Sequence, residues 1–193
     1  ASSFEGEAEI ALVIGKRASN VKPEDAMKHV FGYINFIDGS ARGLPPSNNT
    51  FFQMKSRQTY APTGPFIVTA DEIADPHKLQ IKLWVNGRLT QNYNTSDMAH
   101  NIPKCIAWVS SIHTLNPGDI LAMGTNHRGL SSFQDGDKIE LEVERPGEKP
   151  GEAPSDANIL FDGKDLSKFT NGEKWEIKDG YGTSGPFVFA EFY

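Results

Sequence analysis

The chain opens on polar positions that give way abruptly to apolar ones. In "FEGEAEIALVIG", residues 4–15, Glu5, Glu7 and Glu9 fall two apart, and "AEIALVIGK" reads as a strand ended by Gly15. Strand side chains alternate between faces, so the three carboxylates share one. "KPEDAMKHVFGYINFI" places Pro23 near a helix start, Glu24 and Asp25 at its positive end, and Ala26, Val30 and Phe31 on one face, which predicts a helix through Phe31. An apolar stretch from "GYINFID" leads into the loop-like "SARGLPPSNNT". "FFQMKSRQTYAPTGPFIVTADEI" predicts a short strand, a Pro/Gly turn and a second strand. "LQIKLWVNGRLTQNYNT" alternates about Asn86-Gly87, a strong two-residue hairpin signal. Helical spacing runs through Met98, Ile102, Ile106 and Val109, with Pro103 in the first turns, and "NPGDILAMG" and "FQDGDKIELEVE" each join a turn to a strand. The expected class is α+β, dominated by strands.

After Glu144 the periodicity stops. "RPGEKPGEAPSD" has the Pro, Gly and charge of a linker, and the aromatic-rich tail that follows is too short for a core of its own. The reading is a domain over residues 1–146, a linker over 147–157 and a partial β-rich segment over 158–193. The chain starts at Ala1 without Met, as a fragment or processed product would.

Composition narrows the function classes. A chain of 193 residues, 38% hydrophobic and 23% charged, has the balance of a globular protein. Its net charge of −6 argues against a nucleic-acid partner, which calls for clustered Lys and Arg. No apolar run approaches the roughly 20 residues that span a bilayer, and no basic leader precedes the first strand, so the expectation is a cytoplasmic protein with no membrane partner. The single cysteine, Cys105, excludes an internal disulfide and lies in an apolar stretch that predicts a buried, inert thiol.

The aligned glutamates allow two readings. Charges on a solvated edge strand discourage aggregation. Two carboxylates at i and i+2 are also natural oxygen ligands for a hard divalent cation such as Mg²⁺. Asp38 in "NFIDGSARG" is a candidate third ligand because it interrupts an apolar run, although an Asp before Gly39 also suits a turn.

Six ordered stretches, "EAEIALVIGK", "DGSAR", "FFQMKSRQTYAPTGPFIVTADEI", "VNGRLTQNYNTSDM", "TLNPGDILAMGT" and "DGDKIELEVE", give residues 4–146 a resemblance to the catalytic domain of the fumarylacetoacetate hydrolase family. The resemblance implies a mixed β-roll that holds Mg²⁺ or Mn²⁺ and acts on β-diketo and 2-oxo acids by C–C hydrolysis, decarboxylation or keto–enol isomerisation. It implies Glu7, Glu9 and Asp38 as metal ligands, with Glu5 outside the pattern and facing solvent. It implies Lys55 as the active-site lysine, which could hydrogen-bond a developing enolate. Arg42 would meet a substrate carboxylate, although a structural ion-pair role suits it equally. Thr59, Thr95, Ser96, Gly124 and Thr125 match segments that line the family's pocket. The implied activity is hydrolysis of an acylpyruvate or fumarylpyruvate type of substrate, and family members commonly form homodimers.

Departures bear on the substrate. Ile37 precedes Asp38 where the family usually has Asn, Gly39 follows it, "GLPP" lacks a Gln, and "GTNHRGL" lacks a common Pro. Many members carry an earlier His-x-x-Glu lid that activates water, and none of the five histidines, His100 and His127 included, matches it. A chain beginning at Ala1 is therefore expected to keep the metal site while its hydrolytic step is weakened, with decarboxylation, isomerisation or a non-catalytic binding role as alternatives. Separately, "NILFDGKDLSKF" and "EKWEIKDG" resemble the opening strands of concanavalin-like jelly-roll domains of the 3-keto-disaccharide hydrolase type.

Overall fold

A computed structural model describes residues 3–44 and 51–146, together with the backbone of 176–178, 181–183 and 188–189. The chain divides into two compact units, Ala1–Pro146 and Gly147–Tyr193. In the second unit the described backbone is an antiparallel meander of β8 (Glu176–Lys178), β9 (Tyr181–Thr183) and β10 (Val188–Phe189). The linker expected over 147–157 and most of the segment expected to resemble a jelly roll lie outside the described residues.

The first unit is built on two long strands, β1 (Ser3–Ile14) and β2 (Val30–Arg42), paired antiparallel along nearly their whole length. With β3 (Val68–Thr69) and β6 (Ile120–Ala122) they form a sheet of order β3-β2-β1-β6. A second sheet, order β5-β4-β7, contains β4 (Gln80–Val85), β5 (Arg88–Asn94) and β7 (Ile139–Glu144). The β4–β5 hairpin turns at Asn86 and Gly87, whose φ of 52° and 74° are the two positive values a type I′ turn requires. Even positions of β1 (Ala8, Ile10, Leu12 and Ile14) pack with Ile81 and Leu83 of β4, Leu141 of β7 and Ile102 and Ile106 of α3 (Ile102–Ile112) in one buried cluster. The strand-dominated α+β class is what the sequence predicted.

Local details differ. The helix expected to reach Phe31 stops early: α1 covers Pro23–Ala26, a 3₁₀ turn takes Met27–His29, and Val30 and Phe31 already belong to β2. The β1–β2 ladder claims these β-branched and aromatic residues, and tertiary pairing overrides a weak helical periodicity. Phe51–Lys55, expected as a strand, is a helical turn, α2. Met54 anchors it as its buried residue, while Phe51 and Phe52 stay exposed. α3 starts at Ile102, capped by the Asn101 side chain on the Lys104 N–H, so Met98 precedes the helix. Cys105, expected to be buried, is partly exposed, and its thiol donates to the His100 carbonyl.

Candidate metal centre

Period-2 alternation on two paired strands builds the site. Glu5 lies opposite Ser40, Glu7 opposite Asp38 and Glu9 opposite Phe36. Residues directly opposite in an antiparallel pair share a face, so Glu5, Glu7 and Glu9 meet Ser40 and Asp38 on one side of the sheet. Arg42, two residues beyond Ser40, joins the same face.

Two cations sit on this acidic face. The Arg42 guanidinium donates from Nε to Glu5 Oε2 at 2.9 Å and from its terminal nitrogen to Glu7 Oε1 at 2.6 Å. Lys55, delivered by α2, donates to Glu7 Oε2 at 3.0 Å, to Asp38 Oδ2 at 2.5 Å and to Ser40 Oγ at 2.8 Å. Glu5 is consequently not the solvent-facing residue expected: it is partly buried and held by Arg42, because the guanidinium spans two carboxylates 2 positions apart.

Glu7 and Glu9 are 4% and 2% exposed, which is unusual for carboxylates. Burial pushes Glu7 up, but the Lys55 ammonium, the Ser40 hydroxyl and the nearby His127 more than offset it and hold Glu7 below the usual carboxylate range. Glu9 has less compensation. Burial, opposed by the Gly124 N–H and reinforced by the charges of Asp38 and Glu7, pushes it up to about 7. Burial opposes the charge of Lys55 too, yet Asp38 and Glu7 outweigh it and raise the ammonium above its ordinary value.

Glu7, Glu9 and Asp38 each offer one carboxylate oxygen, and those oxygens lie within 4.8 Å of one another. Three hard oxygen donors in that space fit Mg²⁺ or Mn²⁺. The raised Glu9 and the ammonium lodged between Glu7 and Asp38 both mark a position that calls for positive charge. The site opens into a cavity of about 360 Å³, lined also by Phe51, Ala122, Gly124, Thr125 and His127.

The loop after β6 supplies the opposite wall. Gly124, at φ 86°, donates its N–H to Glu9 Oε2 at 2.6 Å. The Thr125 hydroxyl accepts from Gln91 Nε2 at 2.9 Å, while Gln91 Oε1 accepts the Ala8 N–H at 3.0 Å. Gln91 is completely buried and ties β5, β1 and this loop together.

Of the residues singled out in the sequence, Glu7, Glu9, Asp38, Arg42, Lys55, Gly124 and Thr125 converge on the cavity. Thr59, Thr95 and Ser96 are not among its lining. Thr59 is exposed with φ 69°. The buried Thr95 hydroxyl donates to the Pro76 carbonyl and accepts from the Leu79 N–H. Ser96 is exposed, its N–H held by the Asn94 side chain. Ser40, Gln91 and His127 were not singled out. Ser40 was legible in principle, two residues from Asp38 on one strand, whereas Gln91 and His127 become site residues only through tertiary pairing.

A buried carboxylate cluster with its own lysine, on a β-roll framework, defines a candidate divalent-metal enzyme domain. The chain matches the family described as Fumarylacetoacetate (FAA) hydrolase C-terminal over residues 1–152, and it belongs to that family. It is 43% identical over 150 residues to oxaloacetate tautomerase fahd2, mitochondrial, of Xenopus laevis, an alignment covering 73% of this chain and 47% of that protein. It is 42% identical over 141 residues to maleylpyruvate hydrolase of Aquipseudomonas alcaligenes, with the same coverage of 73% and 47%. Among solved structures, maleylpyruvate hydrolase from Sphingobium sp. SYK-6 in complex with manganese(II) ion and pyruvate superposes with a TM-score of 0.67 at 40% identity, over 74% of this chain and 51% of that one. The chain thus spans about half the length of these relatives.

Proposed function

We propose that this domain is a divalent-metal-dependent enzyme that hydrolyses a C–C bond in a small β-diketo acid of the acylpyruvate type. The observation that carries the reading is the convergence of Glu7, Glu9 and Asp38 within 4.8 Å, beside Lys55, in a cavity of about 360 Å³. That volume lies at the small end of ligand sites, as a small acid requires. The solved relative with manganese(II) and pyruvate supports both the metal and the 2-oxo acid class.

Glu7, Glu9 and Asp38 would hold Mg²⁺ or Mn²⁺, which supplies Lewis acidity toward a 1-carboxylate and 2-oxo group. Water adds to the distal carbonyl carbon, the C–C bond to the central carbon breaks, and its electron pair passes into the enolate of pyruvate. A proton taken up at that carbon gives pyruvate and a carboxylic acid. The Lys55 ammonium, kept charged by its carboxylate neighbours, donates to the oxygen that gains negative charge. The Gly124 N–H fixes Glu9, and the hydroxyl of Thr125, held by Gln91, faces the same cavity.

A second reading, keto–enol tautomerisation of oxaloacetate, is favoured by the 43% identity to the Xenopus protein, and the same enolate serves it. The test incubates the Mn²⁺-loaded protein and its Glu9→Gln variant with an acylpyruvate and with oxaloacetate. Pyruvate and acid from the acylpyruvate, absent in the variant, would support hydrolysis. Accelerated decay of enol-oxaloacetate without pyruvate would replace it with tautomerisation, and pyruvate with CO₂ would replace it with decarboxylation. Turnover of neither substrate by folded, metal-loaded protein would leave a non-catalytic binding module.

A further inference from the structure

β2 pairs with one edge of β1 along nearly its whole length, but on the other edge β6 pairs only with Ala11–Val13. Towards the start of β1 that second edge is served by the Met123 N–H on the Ile10 carbonyl and by a bridge between Glu5 and Ser132. Ala8 lies between these contacts and is completely buried, and among the described residues no backbone group bonds it on this edge. A buried peptide group left without a partner is costly.

Two side chains of β5 take the place of a strand there. Gln91 Oε1 accepts the Ala8 N–H at 3.0 Å, and the Tyr93 phenol donates to the Ala8 carbonyl. The N–H belongs to the peptide joining Glu7 to Ala8, and the carbonyl to the peptide joining Ala8 to Glu9. Each of these two carboxylates therefore extends from a peptide plane that a β5 side chain fixes. Tyr93 has no part in the chemistry above. Burial raises its phenol far above the ordinary value, with the Thr125 hydroxyl beside it opposing the rise and the charges of Glu9 and Glu7 adding to it. The phenol thus keeps the proton that it donates.

A strand held on both edges cannot let neighbouring ligands swing apart. That matters for the choice of ion, because Mg²⁺ demands near-octahedral oxygen ligands at about 2.0–2.1 Å, whereas Ca²⁺ accepts irregular sets at about 2.3–2.6 Å. We propose that Tyr93 is a positioning residue for the metal centre: by holding the Ala8–Glu9 peptide it fixes the spread of Glu7 and Glu9, and so selects a small octahedral cation over a larger one. The inference rests on the metal-centre reading and adds a determinant of which cation the site holds.

Calorimetric titration of Mg²⁺ and of Ca²⁺ into the metal-free native protein and into Tyr93→Phe tests it, since the ring stays and only the hydroxyl goes. The native protein is expected to prefer Mg²⁺. In Tyr93→Phe the Mg²⁺ affinity is expected to fall about tenfold, as when a group supporting a metal ligand is lost, while Ca²⁺ affinity changes by less than about twofold. A hydroxyl that only stabilised the fold would lower both affinities by the same factor, because unfolding competes with either ion alike. That outcome, affinities that do not change, or a native preference for Ca²⁺ overturns the role of Tyr93 alone. If Tyr93→Phe does not fold, 3-fluorotyrosine at position 93, which keeps the ring and hydroxyl and donates more strongly, is titrated in its place. It is expected to raise the ratio of Mg²⁺ to Ca²⁺ affinity, and an unchanged or lower ratio overturns the proposal. Native protein that binds neither ion overturns the metal-centre reading and this inference together.

Discussion

Glu7 and Asp38 are direct partners across the β1–β2 ladder, and a single lysine, Lys55, hydrogen-bonds both. Two carboxylates opposed in an antiparallel pair repel one another and destabilise a sheet. The chain tolerates the pairing because Lys55 and Arg42 neutralise the face, and a divalent cation drawn into the cluster would do so more completely.

Replacing the lysine separates its two effects. Lys55→Met leaves Glu7 and Asp38 facing one another without the shared ammonium, and the metal-free protein should lose about 2 kcal/mol of stability. With less positive charge beside the cluster, Mn²⁺ should bind more tightly and restore the lost stability by mass action. Thermal melts with and without Mn²⁺, beside calorimetric titration, check both. A variant as stable as the native protein without metal would show that the ammonium contributes nothing to holding the face together.

Glu9→Gln is expected to move two measurements in opposite directions. The amide keeps an oxygen for the Gly124 N–H but removes a buried carboxylate crowded by Asp38 and Glu7. The metal-free variant should therefore melt a few degrees higher at pH 8, about 1 kcal/mol in a domain of this size. Its Mn²⁺ affinity should fall at least 100-fold. Loss of both stability and metal binding would mean that Glu9 is needed for the fold itself.

The pH dependence follows from the same residue. Glu9 is raised from 4.5 to about 7 in the folded chain, so between those values the folded state holds a proton that the unfolded state has released. Stability of the metal-free protein should then fall as pH rises from about 4.5 through 7, by at most about 3 kcal/mol. Glu7, held below its ordinary value, acts in the opposite sense, and its contribution disappears only as pH drops below 4.5. Mn²⁺ must displace the Glu9 proton, so its affinity should weaken as pH falls below 7. Denaturant melts from pH 5 to 8, with and without Mn²⁺, should show slopes of opposite sign.

The first strand's shared acidic face and the β4–β5 turn were legible because both depend on local signals: Glu5, Glu7 and Glu9 share a face in any strand, and Asn86-Gly87 dictates its own turn, whereas settling on Asp38 as the third candidate ligand rested on the family resemblance. What failed to show in the sequence depends on partners distant along the chain. Val30 and Phe31 carry helical spacing until β1 offers them a ladder. Phe51–Lys55 reads as a strand until Met54 finds a core and Lys55 finds Asp38. Glu5 looks solvent-facing until Arg42, 37 residues away, arrives from β2. Thr95 matched a pocket segment, yet its hydroxyl is spent on Pro76 and Leu79, a commitment that no spacing encodes.

Gln91 offers the sharpest test of how the fold holds the site. Its side chain is fully buried, with Oε1 on the Ala8 N–H, one residue from Glu7, and Nε2 on the Thr125 hydroxyl, one residue from Gly124. Gln91→Leu keeps much of the volume and strands both partners, at a cost of about 2–4 kcal/mol for two groups left without a bond. The effect should reach the metal centre, because the Gly124 N–H that fixes Glu9 belongs to the loop Gln91 secures. Mn²⁺ affinity should drop about 10-fold, the range expected when a group supporting a metal ligand is lost. Thr125→Val, which keeps Gln91 on the Ala8 N–H and removes only the loop tie, should cost less stability and as much of the affinity. An unchanged Mn²⁺ affinity in Thr125→Val would mean that Gln91 supports β1 alone and that the loop holds its position without it.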